Sequence, residues 1–329
     1  IFFGTNRVEE NRNGPARDRF GDTSIDPDAP VAFGAYQVSV PQIKHKRGQV
    51  NQPESTWLFW TEKPDPEKHF VILDRDPLSK PRLTLEEFSD RLGDHDTFLY
   101  VHGFNNTFED AVVRAAQLQH DIRFGGNMMV FSWPSAGKTL FDVGLETLSP
   151  KIKLAYDHDK KEAEKSAPFL ADTLIQVMKS VRRSHPDAKV HVVAHSMGNH
   201  LLLKALSAVH QSLGKEGLPN LRLGEVILAA PDVTGTDFLR HHQSLFESCE
   251  RVTFYSASDD KALAASRLRN QDKPVGLVPL VIPNREMDTV LANGTTETFH
   301  AMGHSYFGDS GLLLTDMSLV VTLHKPPLE

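Results

Sequence analysis

The sequence has one cysteine, Cys249, among 329 residues, and it has no long hydrophobic run. A single thiol excludes an intrachain disulfide and disfavours a cysteine nucleophile or a zinc–thiolate cluster. No apolar segment approaches the roughly 20 residues that a membrane-spanning helix needs. We therefore expect a soluble protein without stable membrane insertion.

Positive charge is also in short supply. The 36 lysines and arginines are outnumbered by 43 aspartates and glutamates, so the formal net charge is -7 at pH 7. An acidic chain is a poor partner for nucleic acid or for an anionic membrane surface. The short basic run at 44–47 is interpreted as a solvated loop. We expect no nucleic-acid partner.

The chain divides by pattern into two regions. Residues 1–95 are irregular and β-leaning, whereas apolar runs and helical patterns alternate through residues 96–329. Alternating runs too apolar to have a wet face are typical of a parallel sheet with helices on both faces. The sequence therefore predicts an α/β fold, with a β-rich N-terminal extension packed on a core whose central sheet is mostly parallel. The expected strands are 1–5, 31–40, 56–61, 69–74, 97–101, 128–133, 190–194, 225–230, 251–256 and one within 276–282, and the expected helices are 84–92, 107–122, 160–183, 197–213, 236–246, 261–267 and 310–323.

The most informative stretch begins at Val190 and breaks at Ser196 before an apolar helix. A buried strand, a sharp turn at a serine and an immediate helix form a nucleophile elbow, which lifts the hydroxyl above the sheet edge. Small residues two before and two after the serine let the two backbones approach, and Ala194 and Gly198 occupy these positions. A serine that only caps the helix is the alternative, so residues elsewhere have to decide.

A nucleophilic serine needs an imidazole base and a carboxylate that orients this base. In a doubly wound hydrolase the acid and then the histidine follow the serine, each in a loop at the carboxyl end of a strand. Asp260 follows the second strand after the elbow and opens a helix, so we favour it over Asp232 and Asp259. A glycine-preceded histidine before the terminal helix is the expected base, which favours His304, with His300 as the fallback.

The oxyanion of a tetrahedral intermediate needs N–H donors. Met197, directly after the serine, supplies one in this kind of site. The expected strand 97–101 ends in His102-Gly103, and we predict that the backbone N–H of Phe104 is the second donor. His102 precedes Ser196 in sequence and is interpreted as a brace of this loop. A simple strand-to-helix turn is the alternative for the loop.

Further residues are expected around the substrate pocket, namely Asn105, His195, Trp133, Tyr156 and Asp232. Trp133 could equally be ordinary core, and Asp232 could order the pocket floor. His195 is next to the serine in sequence but turned away from it, so packing or a supporting hydrogen bond is expected there.

Residues 137–158 lack clear periodicity and stand where lids are inserted in such folds. We expect a candidate lid in this segment, in which Phe141, Leu145, Leu148 and Tyr156 could cover the site.

Together these blocks resemble the bacterial branch of the α/β-hydrolase superfamily known as domain of unknown function 900, a group of proposed esterases. The resemblance covers nearly the whole chain. It implies an α/β-hydrolase fold with Ser196, Asp260 and His304 as a catalytic triad, the same residues that the loop positions favour. The long segment 137–157 departs from the family pattern. The matching blocks are 2–7, 101–108, 131–137, 194–199, 230–232, 260–263 with Ser266, and 303–306.

The sequence thus predicts a carboxylesterase-type serine hydrolase that acts on a small-molecule ester and needs no metal or organic cofactor. Alternatives keep the triad but cleave an amide, urethane or thioester bond, or transfer the acyl group to another alcohol. A third alternative is a non-catalytic binding protein on a hydrolase fold. The chain starts at Ile1 rather than at a methionine, so the sequence leaves the compartment open between the bacterial cytoplasm and, if a signal segment was removed, the periplasm or exterior. The pattern leaves the oligomeric state open.

Overall fold

The computed structural model describes residues 1–43, 45–53, 55–56, 60–137, 150–217, 221–270, 273–277, 287–294, 304–323 and 325–327. Its strands are β1 (Phe2–Thr5), β2 (Arg7–Glu9), β3 (Phe20–Ser24), β4 (Ala32–Ala35), β5 (Ser55–Thr56), β6 (Trp60–Thr61), β7 (Lys80–Leu83), β8 (Thr97–Val101), β9 (Asn127–Ser132), β10 (Val190–His195), β11 (Leu223–Ala229), β12 (Cys249–Ser256) and β13 (Met287–Leu291). Its helices are α1 (Ala16–Arg19), α2 (Leu85–Leu92), α3 (Phe108–Ile122), α4 (Pro150–Ser184), α5 (Met197–Gly217), α6 (Gly235–Ser248), α7 (Lys261–Asn270), α8 (Tyr306–Asp309) and α9 (Gly311–Leu323).

A sheet of nine of the described strands crosses the molecule in the order β13-β12-β11-β10-β8-β9-β1-β4-β7. Neighbours from β13 through β1 run parallel, and β4 and β7 add two antiparallel pairings at one edge. The carboxyl ends of the parallel strands therefore meet at one edge of the sheet. Loops from β1, β8, β9, β10, β11 and β12 all leave from this edge.

Helices cover both faces of the sheet because the inner strands are apolar on both sides. Val192 and Ala194 of β10 pack in one buried cluster with side chains of α4, α5 and α6. Val193, between them, points to the other face and packs in a second cluster with side chains of α3 and α9. Such two-sided burial is what a parallel strand of continuous hydrophobic residues requires. The predicted α/β fold with a mostly parallel sheet is confirmed.

The N-terminal region contributes strands to this same sheet. β1 pairs in parallel with β9, with Phe2 opposite Met129, and antiparallel with β4, with Phe2 opposite Ala35. Phe3 is fully buried, its ring 5.0 Å from the ring of Phe108 on α3. Arg7 and the loop after β1 consequently lie at the edge where the β8 and β9 loops emerge.

Helix α2 begins with a capping box. The Thr84 side chain accepts the backbone N–H of Glu87, and the Glu87 side chain accepts the backbone N–H of Thr84. The same reciprocal arrangement begins α3, where Thr107 pairs with Asp110. It satisfies N–H groups that the helix itself leaves free.

The predicted strand 69–74 is wrong, and the predicted strand 56–61 is replaced by β5 and β6, which pair antiparallel with each other. Residues 69–74 form only an isolated bridge, between Ile72 and Val38. The hydroxyl of Ser39 accepts a hydrogen bond from the N–H of Val71, in place of a backbone carbonyl oxygen on a neighbouring strand. In the expected strand 276–282, Gly276 and Leu277 belong to a 3-10 turn (Val275–Leu277), and 278–282 lie outside the described residues. Among the described residues, β13 pairs in parallel with β12 and was not predicted.

The candidate lid is partly helical. Its residues 150–158 form the first turns of α4, which begins ten residues before the predicted start at Lys160. Residues 138–149, including Phe141, Leu145 and Leu148, lie outside the described residues, as does the fallback base His300.

In the part of the chain that the structure describes, no helix combines the length and the apolar character needed to cross a membrane.

Candidate active site

Ser196 lies in a strained turn between β10 and α5. Its backbone φ is 54°, in the left-handed region that residues other than glycine rarely adopt. Hydrogen bonds hold the turn: the Ser196 N–H donates to Ala229 O at 3.0 Å, and the N–H groups of Asn199 and Asp232 donate to Ser196 O at 3.1 and 3.2 Å. The side-chain amide of Asn199 adds bonds to Ser196 O and Ala229 O. The neighbouring strand β11 therefore fixes the serine at the sheet edge.

Gly198 permits the close approach that the elbow requires. A Cβ at this position would lie 2.5 Å from the carbonyl oxygen of His102 and 2.8 Å from that of Val101. Both are backbone atoms at the end of β8, so the side chain of any other residue would push α5 away from the sheet.

We expect Gly198→Ala to lower the free energy of unfolding by about 1–3 kcal/mol, the usual cost of overpacking a dense site. The matched control is Gly235→Ala, at the start of α6, where an added Cβ meets nothing within 4 Å. Denaturant midpoints at equal slope measure both. An unchanged midpoint in Gly198→Ala would contradict the close approach.

Ser196, His304 and Asp260 form a continuous chain of hydrogen bonds. The Ser196 hydroxyl lies 2.6 Å from Nε2 of His304, and Nδ1 of His304 lies 2.7 Å from Oδ2 of Asp260. The other oxygen of Asp260 accepts the N–H of Leu263 at 2.9 Å, which fixes the carboxylate at the start of α7. Because a carboxylate accepts, Nδ1 carries the proton and Nε2 is free to accept from the serine.

Burial and charge act in opposite directions on His304. Burial by itself lowers the pKa of its imidazole, but the adjacent charge and hydrogen bond of Asp260, with a further contribution from Asp232, raise it above 6.5 overall. Asp260 is 1% exposed. A water-excluded carboxylate against the imidazole favours the imidazolium, which is the form that a histidine takes after accepting a proton.

The two alternative acids have other partners. Asp232 accepts from the Tyr156 hydroxyl at 2.8 Å and from the Ser266 hydroxyl at 2.6 Å. Asp259 accepts the N–H of Gly294 at 3.1 Å in an exposed turn. Of the three candidate carboxylates, the structure brings Asp260 to the histidine.

The loop after β8 passes directly beside the serine. A Cβ on Gly103 would lie 2.9 Å from Cβ of Ser196, so Phe104 follows within reach of the site. The hydrogen bonds of the described residues leave the backbone N–H groups of Phe104 and Met197 without an acceptor. Met197 follows Ser196 directly, and Phe104 follows Gly103, which lies beside Ser196.

His102 and Trp133 form the base of this loop. Both are fully buried, and their rings stack at 4.9 Å with an interplanar angle of 8°. His102 donates through Nδ1 to Gly103 O, accepts the Trp133 N–H through Nε2, and receives the indole N–H on its carbonyl oxygen. Burial, and then the charge of Arg7, lower the pKa of His102 to about 3, so it is neutral. Trp133 is thus part of the core beneath the site.

His195 supports the loop that carries His304. Its Nε2 lies 3.0 Å from the carbonyl oxygen of His304, and its ring stacks on Phe307 at 4.5 Å. Burial, together with the nearby His304, lowers the pKa of His195 well below 6.5. A neutral His195 donates to this carbonyl and so supports the backbone of His304.

A small cavity opens beside Met197. Its lining is polar and carries charges of both signs, and it includes two of the residues expected at the pocket, Tyr156 and Asp232. The lining residues are Tyr156, Lys160, Met197, His200, Asp232, Thr234 and Asp237.

One buried group near the site escaped the sequence reasoning. Asp159 of α4 is fully buried and accepts the N–H of Asn105, in the loop after β8, at 3.0 Å. Its signal is hidden because it stands in the charged run 157–161, which is typical of a solvated helix face. Asn105 itself has a positive φ of 58°, and a carboxylate under its N–H stabilises that conformation.

This fold, with the hydrogen-bonded side chains of Ser196, His304 and Asp260 at the sheet edge, defines the class of protein as an α/β hydrolase. The chain belongs to the family described as "Alpha/beta hydrolase of unknown function (DUF900)", whose model matches residues 83–307.

Comparisons with individual proteins are more distant. The Uncharacterized protein alr1448 of Nostoc sp. is 37% identical over 76 residues, which are 23% of this chain and 15% of that protein. The chain therefore matches only a small part of that protein's length.

Three solved structures resemble this one at 10–12% sequence identity. An esterase of Pyrobaculum calidifontis has a TM-score of 0.35 at 12% identity and covers 70% of this chain and 78% of its own. A lipase-esterase related protein from Clostridium acetobutylicum has a TM-score of 0.31 at 10% identity, over 69% and 93% of the two chains. An acetyl xylan esterase gives the same TM-score and identity, over 70% and 98%. We draw no conclusion on activity from likenesses of this degree.

Proposed function

We propose that this protein is a carboxylesterase-type serine hydrolase that uses Ser196, His304 and Asp260 as its catalytic triad. The observation that carries the proposal is the hydrogen-bonded chain of 2.6 Å from serine to imidazole and 2.7 Å from imidazole to carboxylate. A serine is a weak nucleophile at neutral pH unless such a base takes its proton.

The chemistry follows from the two nitrogens of the imidazole. Ser196 Oγ attacks the ester carbonyl while its proton passes to Nε2 of His304, and Nδ1–H remains bonded to Asp260. The imidazolium then protonates the departing alcohol, which leaves an acyl group on the serine. Water, deprotonated by the same nitrogen, releases the acid and restores the serine.

The negative oxygen of the tetrahedral intermediate would be held by the N–H groups of Met197 and Phe104. Their lack of acceptors among the described residues supports this role, since donors already fixed in place need no reorganisation when charge develops. We propose a small-molecule ester as substrate, with the acyl or alcohol part beside Tyr156, Asp232 and Asn105. In this mechanism no step requires a metal or an organic cofactor.

The experiment that tests the proposal is a panel of nitrophenyl esters of increasing acyl length, each matched with the corresponding nitroanilide. We expect turnover of esters, and stoichiometric labelling of Ser196 by a fluorophosphonate probe, located by mass spectrometry of the labelled peptide. Adding a second alcohol to the assay separates transfer of the acyl group from hydrolysis, because the product is then a new ester.

Each of the alternatives has its own outcome in this panel. Faster turnover of anilides than of matched esters would replace the esterase by an amidase. Folded protein that neither turns over an ester nor reacts with the probe would contradict the mechanism and favour a non-catalytic binding protein.

A further inference from the structure

We propose that Asp159 and Arg7 are positioning residues, which hold the loop after β8 between a buried anion and a buried cation so that the N–H of Phe104 faces the substrate carbonyl. This inference rests on the proposed function. It assigns a task to two charges that the chain of Ser196, His304 and Asp260 does not use.

Asp159 gathers donors from two loops. Its Oδ2 accepts the Asn105 N–H at 3.0 Å and the Ser135 hydroxyl, and its Oδ1 accepts the Ala136 N–H at 2.8 Å. His158 is a further contact, with Nδ1 3.2 Å from Oδ1. A carboxylate that is fully buried is costly without such bonds. Asp159 therefore ties the loops after β8 and β9 to helix α4.

Arg7 binds the same two loops from the opposite side. Its guanidinium donates to the carbonyl oxygens of Asn106 at 2.8 Å and Ser135 at 3.1 Å, and to the hydroxyl of Ser132 at 2.9 Å. A fourth bond, to Gly21 O at 2.8 Å, anchors it to β3. Arg7 is 2% exposed. Burial lowers its pKa to about 10, with Asp159 as the main opposing charge, so it remains a cation at neutral pH.

Besides attracting each other, the two charges hold the same loop. Asn105 gives its N–H to Asp159, and Asn106 gives its carbonyl oxygen to Arg7. Ser135 completes the connection, because its hydroxyl accepts the Asn106 N–H at 3.1 Å and donates to Asp159. The backbone of Asn105 and Asn106, directly after Phe104, is thus held through the N–H groups of both residues and the carbonyl oxygen of Asn106.

This arrangement matters for Phe104 because the next residue is in an unfavourable conformation. Asn105 has a φ of 58°, which costs a non-glycine residue free energy unless its surroundings enforce it. A change of φ at Asn105 would rotate the peptide between Phe104 and Asn105. This rotation would shift Phe104, whose N–H is the proposed donor. A hydrogen-bond donor to an oxyanion depends strongly on its position.

The inference also gives the N-terminal region a part in the site. Arg7 lies outside residues 83–307, the part that matches the family model. Strand β1 delivers it there by pairing with β9, with Thr5 opposite Ser132.

The test compares Asp159→Asn with Ser135→Ala, which removes only the hydroxyl between Asn106 and Asp159. Loss of a complete oxyanion donor costs about 10²- to 10³-fold in kcat. For a displaced donor we expect about 10- to 100-fold in Asp159→Asn and about 10-fold in Ser135→Ala. KM should change little in both, because the interaction forms in the transition state. The affinity for a boronic acid that forms a tetrahedral adduct should fall with kcat.

Arg7→Lys tests the guanidinium group of Arg7. Lysine keeps the charge but lacks the planar fork that reaches four acceptors in different directions. We expect kcat to fall by about 10-fold, again at nearly constant KM.

The matched control is Asp121→Asn, near the end of α3 about 20 Å from its start at the site. Asp121 is 5% exposed and likewise accepts two N–H donors, Gly48 at 2.7 Å and Gln117 at 2.6 Å. We expect this variant to lose stability but to keep the kcat of wild type. A merely structural role for Asp159 would give it the same behaviour.

The outcomes separate this inference from the proposed function. Wild-type protein without ester turnover would overturn both. Active wild type with unchanged kcat in Ser135→Ala and Arg7→Lys would overturn the positioning role alone, even if Asp159→Asn failed to fold. A loss of kcat in these variants, absent from Asp121→Asn, would support it.

Discussion

Replacing Ser196 by alanine is expected to lower kcat/KM for ester hydrolysis by roughly 10⁵- to 10⁶-fold, because His304 then has no hydroxyl to activate. The fold should persist, since the turn is held by backbone hydrogen bonds rather than by the hydroxyl. The Ser196 N–H donates to Ala229 O, and Ser196 O accepts from the N–H groups of Asn199 and Asp232. The comparison is made with initial rates on the best ester of the nitrophenyl panel, after equal circular dichroism spectra have been obtained for both proteins.

Ser207→Ala is the control for this experiment. Ser207 lies on the same helix, α5, and its hydroxyl bonds Leu203 O and His241, away from the site. We expect wild-type turnover and wild-type labelling by the fluorophosphonate probe in this variant. Labelling that persists in Ser196→Ala would mean that another serine is the nucleophile.

The elbow could be predicted because its signal is local. An apolar strand, a serine and an apolar helix follow one another without a loop between them, and the two small neighbours Ala194 and Gly198 allow the backbones to approach. The geometry at Ser196, with its positive φ, is what such a short connection requires. The elbow is therefore predictable from residues that are neighbours in the sequence.

The positions of Asp260 and His304 were predicted from a rule about topology. Carboxyl ends of parallel strands lie at one edge, so loops far apart in sequence meet there. The order β10-β11-β12 places the loop with Asp260 two strands from the serine. Which of the carboxylates in these loops turns toward the histidine depends on side-chain directions, and the pattern of residues does not contain these.

The parts that could not be predicted depend on pairing between distant segments. β13 was missed because Asp288 and Thr289 interrupt its apolar character, and an edge strand needs less hydrophobic surface than a central one. Arg7 and Asp159 were not connected with the β8 loop because they are 152 positions apart in the sequence and no local pattern marks their burial. Charged residues are usually solvated, so nothing in the sequence points to a buried Asp159.

Replacing Asp260 by asparagine is expected to lower kcat/KM by about 10⁴-fold. The amide oxygen of the substituted side chain can still accept the Leu263 N–H, which leaves its NH₂ group toward Nδ1 of His304. The imidazole would then carry its proton on Nε2 and could not accept from Ser196. Asp259→Asn is the matched control, because the neighbouring carboxylate of Asp259 accepts the N–H of Gly294 in an exposed turn. A loss as large in Asp259→Asn as in Asp260→Asn would show that the acid is misassigned.

The pH dependence of the same variants gives an independent measure. The base works only when His304 is neutral, so kcat/KM should rise with pH through the pKa of His304, which Asp260 holds above 6.5 against the effect of burial. In Asp260→Asn the charge and hydrogen bond that raise this pKa are gone while burial remains, so the residual activity should rise at lower pH than in wild type. In Asp259→Asn the rise should stay in place. A rise in Asp260→Asn at the wild-type pH would contradict a charge interaction between Asp260 and the catalytic base.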